Sequence, residues 1–218
     1  FSLNEFKHIS CGDGGMVVTD DEDLAVRLRL ATDKCYDRRP GATMRNPTFL
    51  ANNYRMTELQ AAVALAQLRK LDGIVQRRRE LCRALTERLA DVRGVILPRA
   101  TDGCVPSWWF YMMQADESVP GVTADRLAEA MQAEGLPVGA HYIGDPVYSY
   151  PLFVDHTAFR AGSHPYAARS YRLGLCPEAE GILRRCLILS VHEDYDAQDL
   201  DETVLGVRRA ARWCTGEA

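Results

Sequence analysis

The sequence predicts an α/β chain in two parts, a short helical first part and a mixed α+β second part. Three observations lead there. A capped helix with apolar residues at helical spacing starts at Thr57, the pattern turns from helical to mixed α+β by about residue 95, and an apolar strand, CLILSV, precedes an amphipathic final helix. With 218 residues, the length suits one large domain or two unequal ones at roughly 150 residues each. We place the domain change near residues 72 to 95, giving parts 1–72 and 73–218.

Residues 14 to 18, GGMVV, read as a short strand after a Gly-rich turn. TDDEDLAVRL follows with acids early and Arg late, which suits a helix dipole. Residues 36 to 53, rich in Arg, Pro, Gly and Asn, read as an ordered loop. Thr57 and Gln60 form a capping box, and Leu59, Val63, Ala66 and Lys70 continue the helical spacing, with many alanines that permit close packing. After Asp72-Gly73, Leu81, Leu85 and Leu89 make a second helical stripe, with Arg77 to Arg79 as a solvated face. Farther on, VILP and the aromatic run Trp108 to Met113 read as strands, and a helix from Thr123 ends at Gly135 before VGAHY. Gly144 to Arg172 lack periodicity and read as a long, functional loop. In the terminal helix, Leu200, Val204, Val207 and Ala211 share one face.

Composition narrows the function classes. Apolar residues make up 47% and charged residues 26%, so a packed core is available. A net charge of −4 offers no footprint for nucleic acid or an anionic membrane surface. No apolar run approaches the roughly 20 residues of a membrane span. Seven cysteines without a CxxC pair predict reduced thiols and a cytoplasmic location. His141, His156, His164 and His192 lack metal-ligand spacing, so no metal is expected. Because only Lys7, Lys34 and Lys70 are Lys among 26 basic residues, each Lys is informative.

Lys7 stands out. Ser2 lies five residues before it, and Gly12-Asp13-Gly14-Gly15 follows shortly after. A Schiff-base Lys needs a fixed position in a dry pocket, a hydroxyl nearby can bind a cofactor phosphate, and glycines allow a close backbone approach. A Lys beside a Gly-rich turn is, taken alone, far more often an ordinary surface residue. Asn53 and Arg55 directly precede the capped helix, where free N–H groups and the dipole favour an anion. Their plainer readings are a turn residue and a surface ion pair.

The pattern S-x-x-x-x-K-x-I-x-x-G-D-G-G-M-V-V-T-D-D resembles the cofactor-lysine segment of the DegT/DnrJ/EryC1/StrS sugar aminotransferases. Asn53-Tyr54-Arg55-Met56-Thr57-Glu58-Leu59-Gln60-Ala61-Ala62 is similar to that family's N-Y-R-M-x-x-L-Q-A-A signature, and CPEAE, CLILSV, His192 and the final helix resemble its closing segment. The resemblance implies the end of a fold-type I pyridoxal-phosphate-binding large domain over 1–72 and an α+β small domain over 73–218. It implies a transaminase that moves an amino group from glutamate or glutamine to a keto sugar, often nucleotide-linked, or a keto cyclitol. It makes Lys7 the catalytic, cofactor-bearing residue and Ser2 a contact of pyridoxal 5'-phosphate. Asn53 and Arg55 would reach a partner's cofactor in a homodimer with shared sites.

Two departures accompany the matches. Family members carry an upstream half with the residue that stacks on the cofactor ring and the Asp that pairs with its nitrogen, which suggests that this chain is a fragment and inactive alone. The family's Tyr-rich stretch ending in Pro-x-His corresponds to His141–Tyr148 here, with Tyr148 where His is common; Tyr142 and Tyr148 are the substrate candidates. His8 beside Lys7 keeps a dehydratase of the same scaffold as an alternative, since some dehydratases place His where the aminotransferases place Lys. A non-catalytic interaction module is the other. The aromatic run Trp108-Trp109-Phe110-Tyr111 reads as strand core before it reads as a stacking surface.

Overall fold

The computed structural model describes residues 1–42, 47–157 and 170–217, and within it the chain divides into two compact units, Phe1–Ile74 and Val75–Ala218. His164 and parts of the 36 to 53 and 144 to 172 segments lie outside the described residues. No helix among the described residues is long and apolar enough to cross a membrane.

The first unit is built on short-range ties and a small core. Residues 1–3 pair with 14–16 through an isolated bridge between Ser2 and Gly15, with Leu3 N–H donating to Gly14 O at 3.0 Å and Met16 N–H to Phe1 O at 2.8 Å. Helix α1, Glu22–Thr32, starts where the Asp21 carboxylate accepts from Leu24 N–H. A second isolated bridge joins Asp33 to Asn53. Helix α2, Glu58–Leu68, opens with the Thr57/Gln60 capping box in full. Leu3, Ile9 and Cys11 form the core, with Met56, Ala64, Leu71 and Ile74 against it.

One expectation for this unit is corrected. GGMVV is not a strand, because only Gly15 finds a bridge partner among the described residues and Val17 and Val18 stay exposed. An extended segment without a ladder has no sheet to define it. Of the alanines of α2, Ala64 lies against the small core. No α2 residue is buried, and Leu59, Val63, Leu65 and Leu68 are all exposed.

Helix α3, Leu71–Leu89, runs across the division. It begins before Gly73 rather than after it. The second unit is a four-stranded antiparallel sheet in the order β1-β2-β4-β3. Its strands are β1 (Val95–Ile96), β2 (Tyr111–Ala115), β3 (Val138–Ala140) and β4 (Cys186–Leu189). Helices α4 (Ala124–Ala133), α5 (Pro151–Val154), α6 (Pro177–Arg185) and α7 (Ala197–Thr215) complete it. Tyr111, Met113 and Ala115 alternate inward along β2 and join Leu187 and Leu189 of β4 in the core. Leu81, Leu85 and Leu89 of α3, Leu127 and Met131 of α4, and Val204, Val207 and Ala211 of α7 close that core. Each large apolar side chain buried there contributes about 2 kcal/mol. Thr123 caps α4 by accepting from Arg126 N–H, and Gly135 follows the helix at φ +84°, which a residue with a Cβ adopts only with strain.

The aromatic run does not enter the sheet as a whole. Trp108 has φ +56° and packs on the core from outside the ladder, so β2 starts at Tyr111. The long loop expected over 144 to 172 contains a 3₁₀ turn, Val147–Ser149, and α5, which Pro151 starts at its first position.

Arg77 to Arg79 are not a solvated face. Arg78 is 8% exposed; its Nε and Nη2 donate to Glu193 Oε2 at 2.8 and 2.7 Å, and its Nη1 donates to the carbonyls of Trp109 and Trp108 at 3.0 and 3.3 Å. Arg77 Nη2 donates to Tyr195 O at 2.6 Å and Arg79 Nε to Pro106 O at 3.0 Å. Three consecutive arginines thus hold loop carbonyls that have no ladder partner, meeting a backbone requirement that adjacent charge alone would oppose.

Arg78→Met is therefore expected to lower the stability of the second unit by about 2 kcal/mol in denaturant titration, since it leaves a half-buried carboxylate and two carbonyls without their charged donor. Burial pushes the Glu193 carboxyl up, but its own backbone amide and Arg78 outweigh that and hold it below the usual 4.5. A lowered folded-state pKa means stability present above 4.5 that is lost as the pH falls below it. This loss should be smaller in Arg78→Met than in the unaltered chain. Equal stability of the two proteins would return Arg78 to the surface.

Candidate active site

Lys7 sits at the closed end of the turn that the Ser2–Gly15 bridge begins. Its N–H donates to Asn4 O at 3.1 Å, the Asn4 side chain accepts from Phe6 N–H at 3.0 Å, and Cys11 N–H returns to Leu3 O at 3.0 Å. The backbone carrying Lys7 is therefore fixed before any ligand arrives, and Lys7 itself is half-buried. Ser2 lies at the mouth of the turn, with its Oγ accepting from Asn4 N–H at 3.4 Å. Gly14 has φ +150°, which a residue with a Cβ adopts only with strain, and a Cβ there would crowd Cys11 Sγ at 3.1 Å and Met56 Cε at 3.2 Å.

The turn is tied to the capped helix. Gln60 of the capping box also donates from Nε2 to Asp13 O at 2.9 Å. One side chain closes the N-terminus of α2 and fastens the Gly-rich turn to it.

Asn53 and Arg55 form a cluster around a residue that sequence reasoning missed. Asp33 is 6% exposed, and its carboxylate accepts from Arg38 Nε and from Lys34 Nζ at 3.3 Å, while Arg55 Nε lies 3.3 Å away. Arg55 Nε also donates to Asn53 Oδ1 at 3.1 Å. On the backbone, Lys34 N–H donates to Asn52 O at 2.9 Å and Tyr54 N–H to Thr32 O at 2.8 Å. Arg38 first, with Lys34 and Arg55, holds the Asp33 carboxyl below its usual range despite burial. It remains ionised throughout neutral pH. Arg55 keeps an exposed guanidinium, and among the described residues no hydrogen bond occupies its Nη groups. The only sequence signal for Asp33 is an acid amid the basic residues Lys34, Arg38 and Arg39, a pattern too common to single out.

The tyrosine candidates belong to the second unit. Tyr142 follows His141, both at positive φ, and its half-exposed ring lies 5.4 Å from Phe110. His141 is pinned, with Nε2 2.9 Å from Asp125 Oδ1 and Nδ1 3.3 Å from Leu183 O; the Asp125 contact raises its pKa. Tyr148 is committed to a protein partner. Its hydroxyl donates to Glu180 Oε1 and accepts from Cys176 N–H at 3.3 Å, and Glu180 Oε1 also accepts from Gly174 N–H at 2.7 Å. Burial and that carboxylate push the Tyr148 phenol up to about 12. Sequence reasoning did not mark Glu180, which stands in the CPEAE segment.

The fold is that of fold-type I pyridoxal-phosphate-dependent transferases, here the end of the large domain plus the small domain. The chain belongs to the DegT/DnrJ/EryC1/StrS aminotransferase family, whose model matches residues 1–208. S. venezuelae DesV, solved in complex with a ketimine intermediate, is 27% identical with a TM-score of 0.78 over 97% of this chain and 50% of DesV. A DegT DnrJ EryC1 StrS aminotransferase from Brucella abortus is 28% identical with a TM-score of 0.74, covering 95% of this chain and 49% of that one. Helicobacter pylori PseC, an aminotransferase involved in pseudoaminic acid biosynthesis, shares the fold with a TM-score of 0.75 at 18% identity, over 97% of this chain and 52% of PseC. This chain spans about half the length of each of these proteins.

Glu180→Ala is expected to raise the hydrogen-exchange rates of the Gly174 and Cys176 amides about tenfold, with core amides of β2 and β4 unchanged. Unaltered exchange at those two amides would remove Glu180 as the tie between the Tyr148 turn and residues 174–176.

Proposed function

We propose that the complete protein is a cytoplasmic, pyridoxal 5'-phosphate-dependent aminotransferase acting on a keto sugar, often nucleotide-linked, or a keto cyclitol. Residues 1–72 supply the end of its large domain and residues 73–218 its small domain. The observation that carries this reading is the placement of Lys7, five residues after Ser2, on a turn closed by glycines and fastened through Gln60 to the helix behind Asn53 and Arg55.

The residues present fit the cofactor. The turn holds Lys7 on a rigid backbone, the Ser2 hydroxyl stands at its mouth, and the exposed Nη pair of Arg55 suits a phosphate's bidentate geometry. Bound there, pyridoxal phosphate supplies the electron sink for bond changes at an amino acid's Cα.

Lys7 Nζ would hold the cofactor covalently and, when free as an amine, would serve as the base that takes and returns the proton at the Cα of the glutamate or glutamine donor and at the corresponding carbon of the keto substrate. Ser2 and the loop carrying Asn53 and Arg55 would hold the cofactor's phosphate, so that Lys7 Nζ works on a fixed ligand. We assign that loop to the partner's site in a homodimer, a reading supported by the exposed apolar face of α2 beside it. Tyr142 is the candidate to meet the sugar, and Tyr148, bonded to Glu180, has less freedom to do so.

Borohydride treatment of the complete holoenzyme, followed by peptide mapping, should place the reduced cofactor on Lys7. Lys7→Ala should reduce transamination at least 1,000-fold while its thermal midpoint shifts little, since general acid-base and covalent roles are both lost. Label on Lys34 or Lys70 would overturn the assignment.

A further inference from the structure

We infer that Asp33 is a positioning residue for the anion-binding loop, acting on Arg55 rather than on any ligand. This rests on the reading that Arg55 binds phosphate, and it adds the group that aims it.

Three features of Asp33 converge. It is almost wholly buried in a unit where most polar side chains are exposed, and a carboxylate so placed persists only if it is paired. Its partners are Arg38, Lys34 and Arg55, so one acid lies among three cations and the cluster keeps a surplus of positive charge. Its backbone forms the isolated bridge to Asn53, flanked by the Lys34–Asn52 and Tyr54–Thr32 hydrogen bonds, so the same residue fixes the loop's main chain and its arginine.

The geometry at Arg55 gives this consequence. Asp33 Oδ1 and Asn53 Oδ1 both face Nε, at 3.3 and 3.1 Å. A guanidinium held at Nε has its plane set, and its Nη pair is left for a bidentate partner outside. Without Asp33, Arg55 would keep its charge but lose one of its two anchors. An exposed long side chain would then sample many rotamers, and the phosphate would bear the cost of ordering it. Arg38 has a different part, since its bond to Asp33 keeps the carboxylate ionised under burial.

The test uses the complete protein and two readouts. In nitrogen-15 spectra, the Arg55 Nε–H signal should be sharp in the unaltered protein and should broaden or vanish in Asp33→Asn, which preserves shape and removes charge. Pyridoxal phosphate affinity, followed by equilibrium dialysis, should fall about tenfold in Asp33→Asn and in Arg55→Gln, and little further in the double variant, as expected for residues acting in series. Asp33→Glu keeps the charge and guards against misfolding of the Asn variant; it should bind more tightly than Asp33→Asn yet less tightly than the unaltered protein. If Arg55→Gln leaves affinity unchanged, the phosphate reading of Arg55 is wrong, while the Arg55 signal still reports on the positioning. If that signal survives Asp33→Asn, or the two losses multiply fully in the double variant, the positioning role is overturned.

Discussion

A buried carboxylate with three cations around it organises the candidate site. Asp33 binds Arg38, Lys34 and Arg55 with its side chain and bridges Asn53 with its backbone, so residues 33–38 and 53–55 are tied together beside an exposed guanidinium. The Lys7 turn is fixed separately, by the Ser2–Gly15 bridge and by Gln60 reaching Asp13. The proposed catalysis by a covalently held cofactor would use both properties, a rigid origin for the amine and a rigid receptor for the phosphate.

The second unit uses a related device. Loops that have no ladder partner are held by polar and charged side chains: Arg77, Arg78 and Arg79 on carbonyls, Glu180 on amides and a phenol, and His141 between Asp125 and Leu183. The sheet and its three longer helices supply the apolar core. Side-chain bonds then set the loops at its margins, and these loops include the tyrosines expected to approach the sugar.

Much of the local structure was legible because its signals are themselves local. Thr57 and Gln60 sit three residues apart before an apolar run, and they form the capping box; Thr123 and Gly135 bracket α4 in the same way. What could not be read depends on distant partners. A run of three arginines looks solvated until loop carbonyls are found around it, GGMVV looks like a strand until its ladder is sought, and the alanines of α2 say nothing about what lies opposite them. Lys7, Ser2, Asn53 and Arg55 were singled out as candidates through two motifs that resemble the family's, whereas Asp33 has no motif and emerges only from burial and charge.

The exposed α2 face beside Arg55 gives the account its central claim, that each Arg55 loop serves the site of a twofold partner. Mixed dimers test it directly. A Lys7→Ala subunit and an Asn53→Ala, Arg55→Ala subunit, each nearly inactive as a homodimer, should regain activity when co-assembled, because one of the two sites then receives an intact Lys7 and an intact loop. Absence of recovery in hybrids shown to form would contradict the claim and assign the loop to its own subunit.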